Sequence, residues 1–325
     1  MSEQKLIAVV GATGAQGGGL ARAILDDPDS GFTLRALTRD PSTPAARALA
    51  ERGADVVAAD LDDEESVRRA FEGAYGAFVM TNFWAPLTPE QEAARDRARM
   101  EIEQARTAAR AAKDAGLRHV VWSTLEDTRP YFAHLGRDVP TLLGRYKVPH
   151  FDAKAEADAE FRDIGVPTTF LLTTFYYESL LKGQGPQRDA DGKLVLTLPM
   201  ADNAMALVGG EDIGRTAFGI LKGGVEYVGR HVGLAGAHAT GEELAAKFSE
   251  LLGEQVTYRP ASYDEARAAG YPGAVETANM YEFYSEASAY FTGVRDLELV
   301  RRVNPRLESL DAWLARHRAD VEAVL

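Results

Sequence analysis

The sequence predicts an α/β fold: a doubly wound parallel sheet followed by a smaller α+β region. Three observations carry that expectation. Short apolar runs alternate with helical-period segments through the first half of the chain, a glycine-rich turn joins the first run to the first helix, and the alternation decays beyond about residue 174.

The first strand is read at 6–10, and a helix follows at 17–25. Strand 34–38, helix 44–52 and strand 55–59 come next, then helix 64–71 and a fourth strand at 77–81. Residues 89–115 read as one long helix. Pro89 stands in its first turn, Gly116 ends it, and Ala94, Ala98, Ala105, Ala109 and Ala112 form a face suited to packing on a sheet. Its Arg and Glu residues read as the solvated side. The fifth strand is 119–123, a helix spans 152–163, and the sixth strand is 167–172. Beyond these lie a hairpin strand at 194–198, a helix at 211–221, a strand near 232–235 and a helix opened by Thr240, with Glu243 placed as in a capping box. The expected division is 1–173 for the sheet domain and 174–325 for a smaller region that completes the cleft, some of whose segments can return to the first.

At 325 residues the chain exceeds the roughly 100–200 residues of a usual single domain, in keeping with that division. No window approaches the roughly 18 apolar residues of a membrane span. Met1 to Lys5 run straight into an apolar strand with no secretory h-region, so a cytoplasmic protein is expected. The absence of cysteine excludes disulfides, thiol nucleophiles and Cys-ligated zinc. The histidines at 119, 134, 150, 231, 238 and 317 have no metal-ligand spacing, and no metal is expected. A net charge of −13 disfavours direct binding to nucleic acid or anionic lipid.

Gly11-Ala12-Thr13-Gly14-Ala15-Gln16-Gly17 follows the first strand and opens a helix, the context in which a glycine fingerprint has meaning. Gly11 permits the tight turn, Gly14 lets backbone approach a pyrophosphate, and Gly17 lets helix and strand pack closely. The helix N-terminus then offers N–H donors to the phosphates. A Rossmann nucleotide site is expected here, the alternative being a glycine-rich turn of no function. Arg39, just past the second strand, stands where an NAD site usually offers a carboxylate, and a guanidinium there suits the 2′-phosphate of NADP(H). NAD(H) is the less favoured cofactor, and the neighbouring Asp40 weighs against the choice. Asp60 and Leu61 end the third strand beside the adenine edge. Thr81, Asn82 and Phe83 end the fourth beside the pyrophosphate and nicotinamide ribose. Each of these can equally be an ordinary strand-end turn residue.

GATGAQGG at 11–18, TNFW at 81–84, VPHFDAKAEADAEFRDIGVPTTF at 148–170 and FYYES at 175–179 together resemble the NmrA-like family of atypical short-chain dehydrogenases. YPGAVETANMYEFYS at 271–285 and NPRLESLDAWLARHR at 304–318 extend the resemblance over the whole chain, and it is nearest to the redox-sensor subgroup typified by human HSCARG. The resemblance implies NADP(H) binding, a response to the NADPH/NADP+ ratio through conformation and association, a protein partner set by redox state, and a possible homodimer. It places the cofactor on Gly11 to Gln16, Arg39 and the loop to Thr43, Asp60, Leu61, Thr81 to Phe83, Lys154, and Tyr176, Tyr177, Glu178 and Ser179. Two departures stand out. The 39–43 loop lacks a second basic residue, and Ser179 replaces a common Asn.

A reductase of this kind usually takes its proton from Tyr in a Tyr-x-x-x-Lys pair, but here the segment reads His150-Phe151-Asp152-Ala153-Lys154. The spacing puts His150 and Lys154 on one helical face, with Lys154 able to reach the ribose. His150 is a candidate acid, or a cap at the helix start, and Ser123 stands where a supporting Ser is found. The 125–149 stretch, with little regular period, is a candidate lid that carries Tyr131, His134 and Tyr146. Three functions stay open: a redox sensor, an NADPH-dependent reductase of a small carbonyl, quinone or imine, and an interaction module with a vestigial site. Met280 to Tyr284 and Trp313 are expected in the core.

Overall fold

Strand β1 (Lys5–Val10) is buried from Ile7 onward because it has parallel neighbours on both edges. The computed structural model describes residues 4–325. Helix α1 (Ala15–Leu25), β2 (Phe32–Thr38), α2 (Pro44–Glu51), β3 (Asp55–Ala58), α3 (Glu64–Phe71) and β4 (Gly76–Val79) follow in strict alternation. Next come α4 (Pro89–Ala94), α5 (Arg97–Asp114), β5 (His119–Thr124), α6 (Arg129–His134), α7 (Pro149–Asp163) and β6 (Thr168–Leu172).

After β6 the elements shorten: β7 (Phe175–Tyr176), β8 (Gln187–Arg188), β9 (Leu194–Leu196), β10 (Met205–Val208), α8 (Gly210–Gly223), β11 (His231–Gly233), β12 (Ala237–Ala239), α9 (Gly241–Leu252) and β13 (Val256–Tyr258). Helices α10 (Tyr263–Arg267), α11 (Ala274–Glu286), α12 (Ser288–Gly293), α13 (Leu297–Val303), α14 (Leu310–Arg316) and α15 (Arg318–Ala323) complete the chain.

The main sheet has the order β11-β6-β5-β4-β1-β2-β3, and every adjacent pair is parallel. Strand order reverses at β1, so a crevice opens at the carboxyl ends of β1 and β4, where such sheets hold ligands. Two small three-stranded sheets, β12-β10-β7 and β13-β9-β8, belong to the later chain. Helix α8 packs on α1 and β11 pairs with β6, so segments beyond residue 174 return to the main sheet. Tyr281, Phe283, Tyr284 and Trp313 are buried in one aromatic core with Phe151 of α7, as expected.

The single helix expected over 89–115 is two helices. Arg95 leaves the helical conformation (φ −155°, ψ 114°) to ion-pair with Asp62 and Glu103, and Asp96 caps the new start by accepting from the Arg99 N–H. The charged side chains of α5 are not all solvated either, since Glu101 is fully buried.

The 125–149 segment contains α6 and is tied at both ends. The Asp152 carboxylate accepts from the N–H groups of Thr128, Lys147 and Val148 and from the Thr128 hydroxyl. The Asn279 amide donates to the carbonyls of Pro140 and Lys147. Among the described residues no helix is long and apolar enough to cross a membrane.

Candidate cofactor cleft and active site

The turn after β1 is built for close backbone approach. Gly11 has φ 66°, a conformation that L side chains resist, and a Cβ on Gly17 would lie 2.4 Å from the Gly11 carbonyl oxygen. Ala12 is buried beneath the turn, whereas Thr13, Gly14 and Ala15 face solvent. Gly14 caps α1 with no side-chain acceptor, which leaves the first-turn N–H groups for an anion. Gln16 Nε2 donates to Tyr176 Oη at 2.5 Å, while Gln16 Oε1 is buried with no hydrogen-bond partner. An uncapped helix start behind a glycine turn fits a dinucleotide pyrophosphate.

Arg39 lies just past β2, exposed, with no hydrogen bond or ion pair among the described residues. Asp40 stands next to it, also exposed. Its carboxylate accepts from the Ser42 hydroxyl and N–H, and these bonds hold it below the usual carboxylate range. The Thr43 hydroxyl caps α2 by accepting from the Ala46 N–H. Asp60 and Leu61 follow β3, and the Asp60 side chain accepts from the Asp62 N–H.

Thr81, Asn82 and Phe83 follow β4 and are pinned in place. Arg97 donates to the carbonyls of Phe83 and Ala85, and Asn82 accepts from the Trp84 N–H. From α7, Lys154 Nζ donates to the Thr81 hydroxyl (2.7 Å) and carbonyl (3.1 Å). The same ammonium lies 2.8 Å from Glu101 Oε2, a charge contact not aligned as a hydrogen bond, and 5.2 Å from the Trp122 ring centroid. A cation is thereby fixed at the carboxyl ends of β4 and β5.

One helical turn before Lys154, His150 Nδ1 is 2.6 Å from Glu276 Oε1 of α11, and the same oxygen accepts from the His150 N–H at 2.8 Å. The imidazole packs against Phe83 and Trp84, with ring centroids 5.9 and 5.3 Å away.

Other expected residues are placed elsewhere. Trp122 and Thr124 bond Asp158 of α7, so strand alternation turns Ser123 to the opposite face of β5, and it makes no bond to His150 or Lys154. Tyr177 is fully buried against Trp313, in the core of the later region. The Glu178 carboxylate accepts from the Gly210 N–H at the start of α8, and Ser179 lies in the short 3-10 turn that contains both Tyr177 and Glu178. Tyr131 is wedged between Phe283 and Tyr290, and the Tyr146 hydroxyl is committed to Glu156. Burial pushes both phenols up, which makes them poorer acids.

Sequence reasoning missed Glu101 and Glu276. Glu101 had a signal, because it falls three and four residues from Ala98 and Ala105 on the alanine face of α5. Glu276 had only its polar character within an apolar-aromatic helix. On the opposite face of α11, Thr277, Ala278 and Tyr281 line a separate cavity of about 560 Å³, with Gln184, Arg259 and Tyr271 on its other walls.

Three comparisons bear on this geometry. The model of the NmrA-like family matches residues 3–314. The NmrA-like family domain-containing oxidoreductase FrzB of a Cladobotryum species is 30% identical over 291 residues, covering 86% of this chain and 83% of that protein. Among solved structures, NmrA, a negative transcriptional regulator, in complex with NADP has a TM-score of 0.74 at 22% identity, over 99% of this chain and 98% of that one. The Citrobacter triphenylmethane reductase complexed with NADP(H) has a TM-score of 0.70 at 21% identity, over 98% of this chain and 99% of that one.

Proposed function

This chain belongs to the NmrA-like family, and from that premise we propose that it is an NADPH-dependent oxidoreductase acting on a small carbonyl, quinone or imine. The observation that carries the reading is Lys154, a cation held at the strand ends by Thr81 and Glu101, one helical turn from a carboxylate-bound histidine. NADPH, when bound, supplies the hydride. The chain's own groups bind and orient: the first-turn N–H groups of α1 would hold phosphate, and Lys154 would present its positive charge toward the nicotinamide ribose. The curated relatives named as oxidoreductases support the same reading.

A redox sensor would use the same cleft, together with a partner or a second copy that this reading does not require. It also needs an element with two arrangements. The 125–149 segment, the expected source of one, is bonded at both ends to Asp152 and Asn279. For that reason the oxidoreductase reading is preferred.

The test is loss of reduced-nicotinamide absorbance with a panel of quinones, aldehydes and imines. Lys154→Met alone would strand the buried Glu101 charge, so the Glu101→Gln/Lys154→Met pair is the better variant. Turnover should fall about a hundredfold in the pair, while circular dichroism and melting stay near those of the parent. Tight NADPH binding without turnover of any acceptor by the parent would instead favour the sensor.

Cofactor choice is tested separately at Arg39. Its guanidinium makes no bond among the described residues, so Arg39→Ala should leave stability unchanged. Titration should show NADPH affinity down by about tenfold or more and NADH affinity unmoved. Equal losses for both cofactors would remove the 2′-phosphate from Arg39.

A further inference from the structure

We propose that His150 and Glu276 form the proton-donating pair of the reduction, acting on a planar conjugated carbonyl or quinone laid against Trp84; the proposal rests on the oxidoreductase reading above. Glu276 lies on the face of α11 turned toward α7 and the segment before it, and one of its oxygens receives both the ring and the backbone N–H of His150. Both side chains are about nine-tenths buried. A carboxylate at Nδ1 fixes the ring's orientation and keeps the proton on that nitrogen, so proton exchange falls to Nε2. Nε2 has no hydrogen-bond partner among the described residues.

The charged groups around the imidazole are few. Glu276 faces it from α11, and Lys154 lies one turn along α7, neutralised by Glu101 from α5. Asp152, also on α7, is consumed by Thr128, Lys147 and Val148. The loop packed on the ring places Phe83 and Trp84 against it, and Arg97, paired with Glu92, donates to that loop's carbonyls. Trp84 is half exposed, with 52% of its surface accessible beside a buried acid, a geometry suited to stacking a flat acceptor.

In the step, hydride from NADPH would form a C–H bond at the carbonyl carbon, or an O–H bond at one oxygen of a quinone, while the C=O π pair moves onto the carbonyl oxygen, or through the ring onto the quinone's second oxygen. That oxygen takes the Nε2 proton of the imidazolium. Neutral imidazole, an alcohol or hydroquinone and NADP+ remain, and the ring regains its proton from water. Glu276 exchanges no proton in this step and acts as a positioning residue.

The bland alternative is that Glu276 only satisfies an orphan N–H in the first turn of α7. Two readouts separate these roles: the His150 ring titration by NMR, assigned with His150→Gln, and the pH profile of kcat. In the parent, kcat should fall as pH rises through the His150 midpoint, because the acid is the protonated ring. Glu276→Gln removes the stabilising charge and should move both the midpoint and the kcat limb to lower pH together. His150→Gln should lower kcat about a hundredfold with little change in KM.

An unmoved kcat limb in Glu276→Gln, or parental kcat in His150→Gln, overturns the pair while leaving the oxidoreductase reading intact. A parent that binds NADPH and reduces nothing overturns that reading and the pair with it. For the acceptor, Trp84→Ala should raise KM for 1,4-naphthoquinone about tenfold and leave that for propanal unchanged. Equal effects on the two overturn the planar class.

Discussion

Gly214→Ala is expected to lower stability by about 3 kcal/mol, near the upper end of overpacking costs, and to weaken NADPH binding at the same time. A Cβ at Gly214 would stand 2.1 Å from the Leu20 backbone nitrogen and 2.3 Å from the Gln16 carbonyl oxygen. Both atoms belong to the backbone of α1, so no side chain can swing aside. The contact is reciprocal, since a Cβ on Gly19 of α1 would meet the Glu211 carbonyl oxygen of α8 at 2.2 Å. The two helices can reach this distance only because both carry glycine at the crossing. Relief requires α1 to move, and α1 begins at the glycine turn proposed above to hold the cofactor's phosphates. Thermal unfolding and NADPH titration should therefore shift together. Gly293→Ala, where a Cβ meets nothing within 4 Å, is the control. A parental melting temperature and affinity in Gly214→Ala would mean that the helices do not cross so closely.

Arg295→Met is the second large effect, with an expected loss of about 3–5 kcal/mol, the usual consequence of leaving a buried charge unpaired. Arg295 is fully buried between α12 and α13. Its guanidinium donates to both oxygens of Glu126 (2.6 and 3.0 Å) and to the carbonyls of Thr173 and Phe291. Glu126 and Thr173 follow β5 and β6, so this fork ties the C-terminal helices to the ends of the main sheet, next to the cleft. The Glu126→Gln/Arg295→Met pair removes the stranded charge and should recover part of the loss in denaturant unfolding. Equal destabilisation in the single and double variants would show that lost packing, rather than an unpaired carboxylate, is the cause.

The fold was legible where local chemistry and global topology agree. The glycine turn, the alternation of strands and helices, the capping box at Thr240 and Glu243, and the α-helical register of His150 and Lys154 are all short-range patterns. The break at Arg95 was not legible, because it is made by partners 33 and 8 residues away, Asp62 and Glu103. The candidate site divided in the same way. The glycine turn, Arg39, Thr81 to Phe83, Lys154 and His150 came from spacing and strand ends. Tyr177 follows Tyr176 directly but turns into the core, because β7 ends at Tyr176 and the 3-10 turn begins at Tyr177, and successive side chains leave an extended segment on opposite sides.

By itself the sequence determined the parallel sheet, the position of the nucleotide turn and the absence of a tyrosine beside Lys154. These follow from the backbone demands of glycine, from apolar periodicity and from residue identity, none of which needs a distant partner. Tertiary structure alone decided that Glu101 is the buried counterion of Lys154, that Glu276 holds His150, and that Gly214 and Gly19 set the spacing of α1 and α8. The physical reason is common to all three. The worth of a carboxylate or of a missing methyl group depends on what stands within about 3 Å of it, and neighbours 53, 126 and 195 residues apart are brought that close only by the fold.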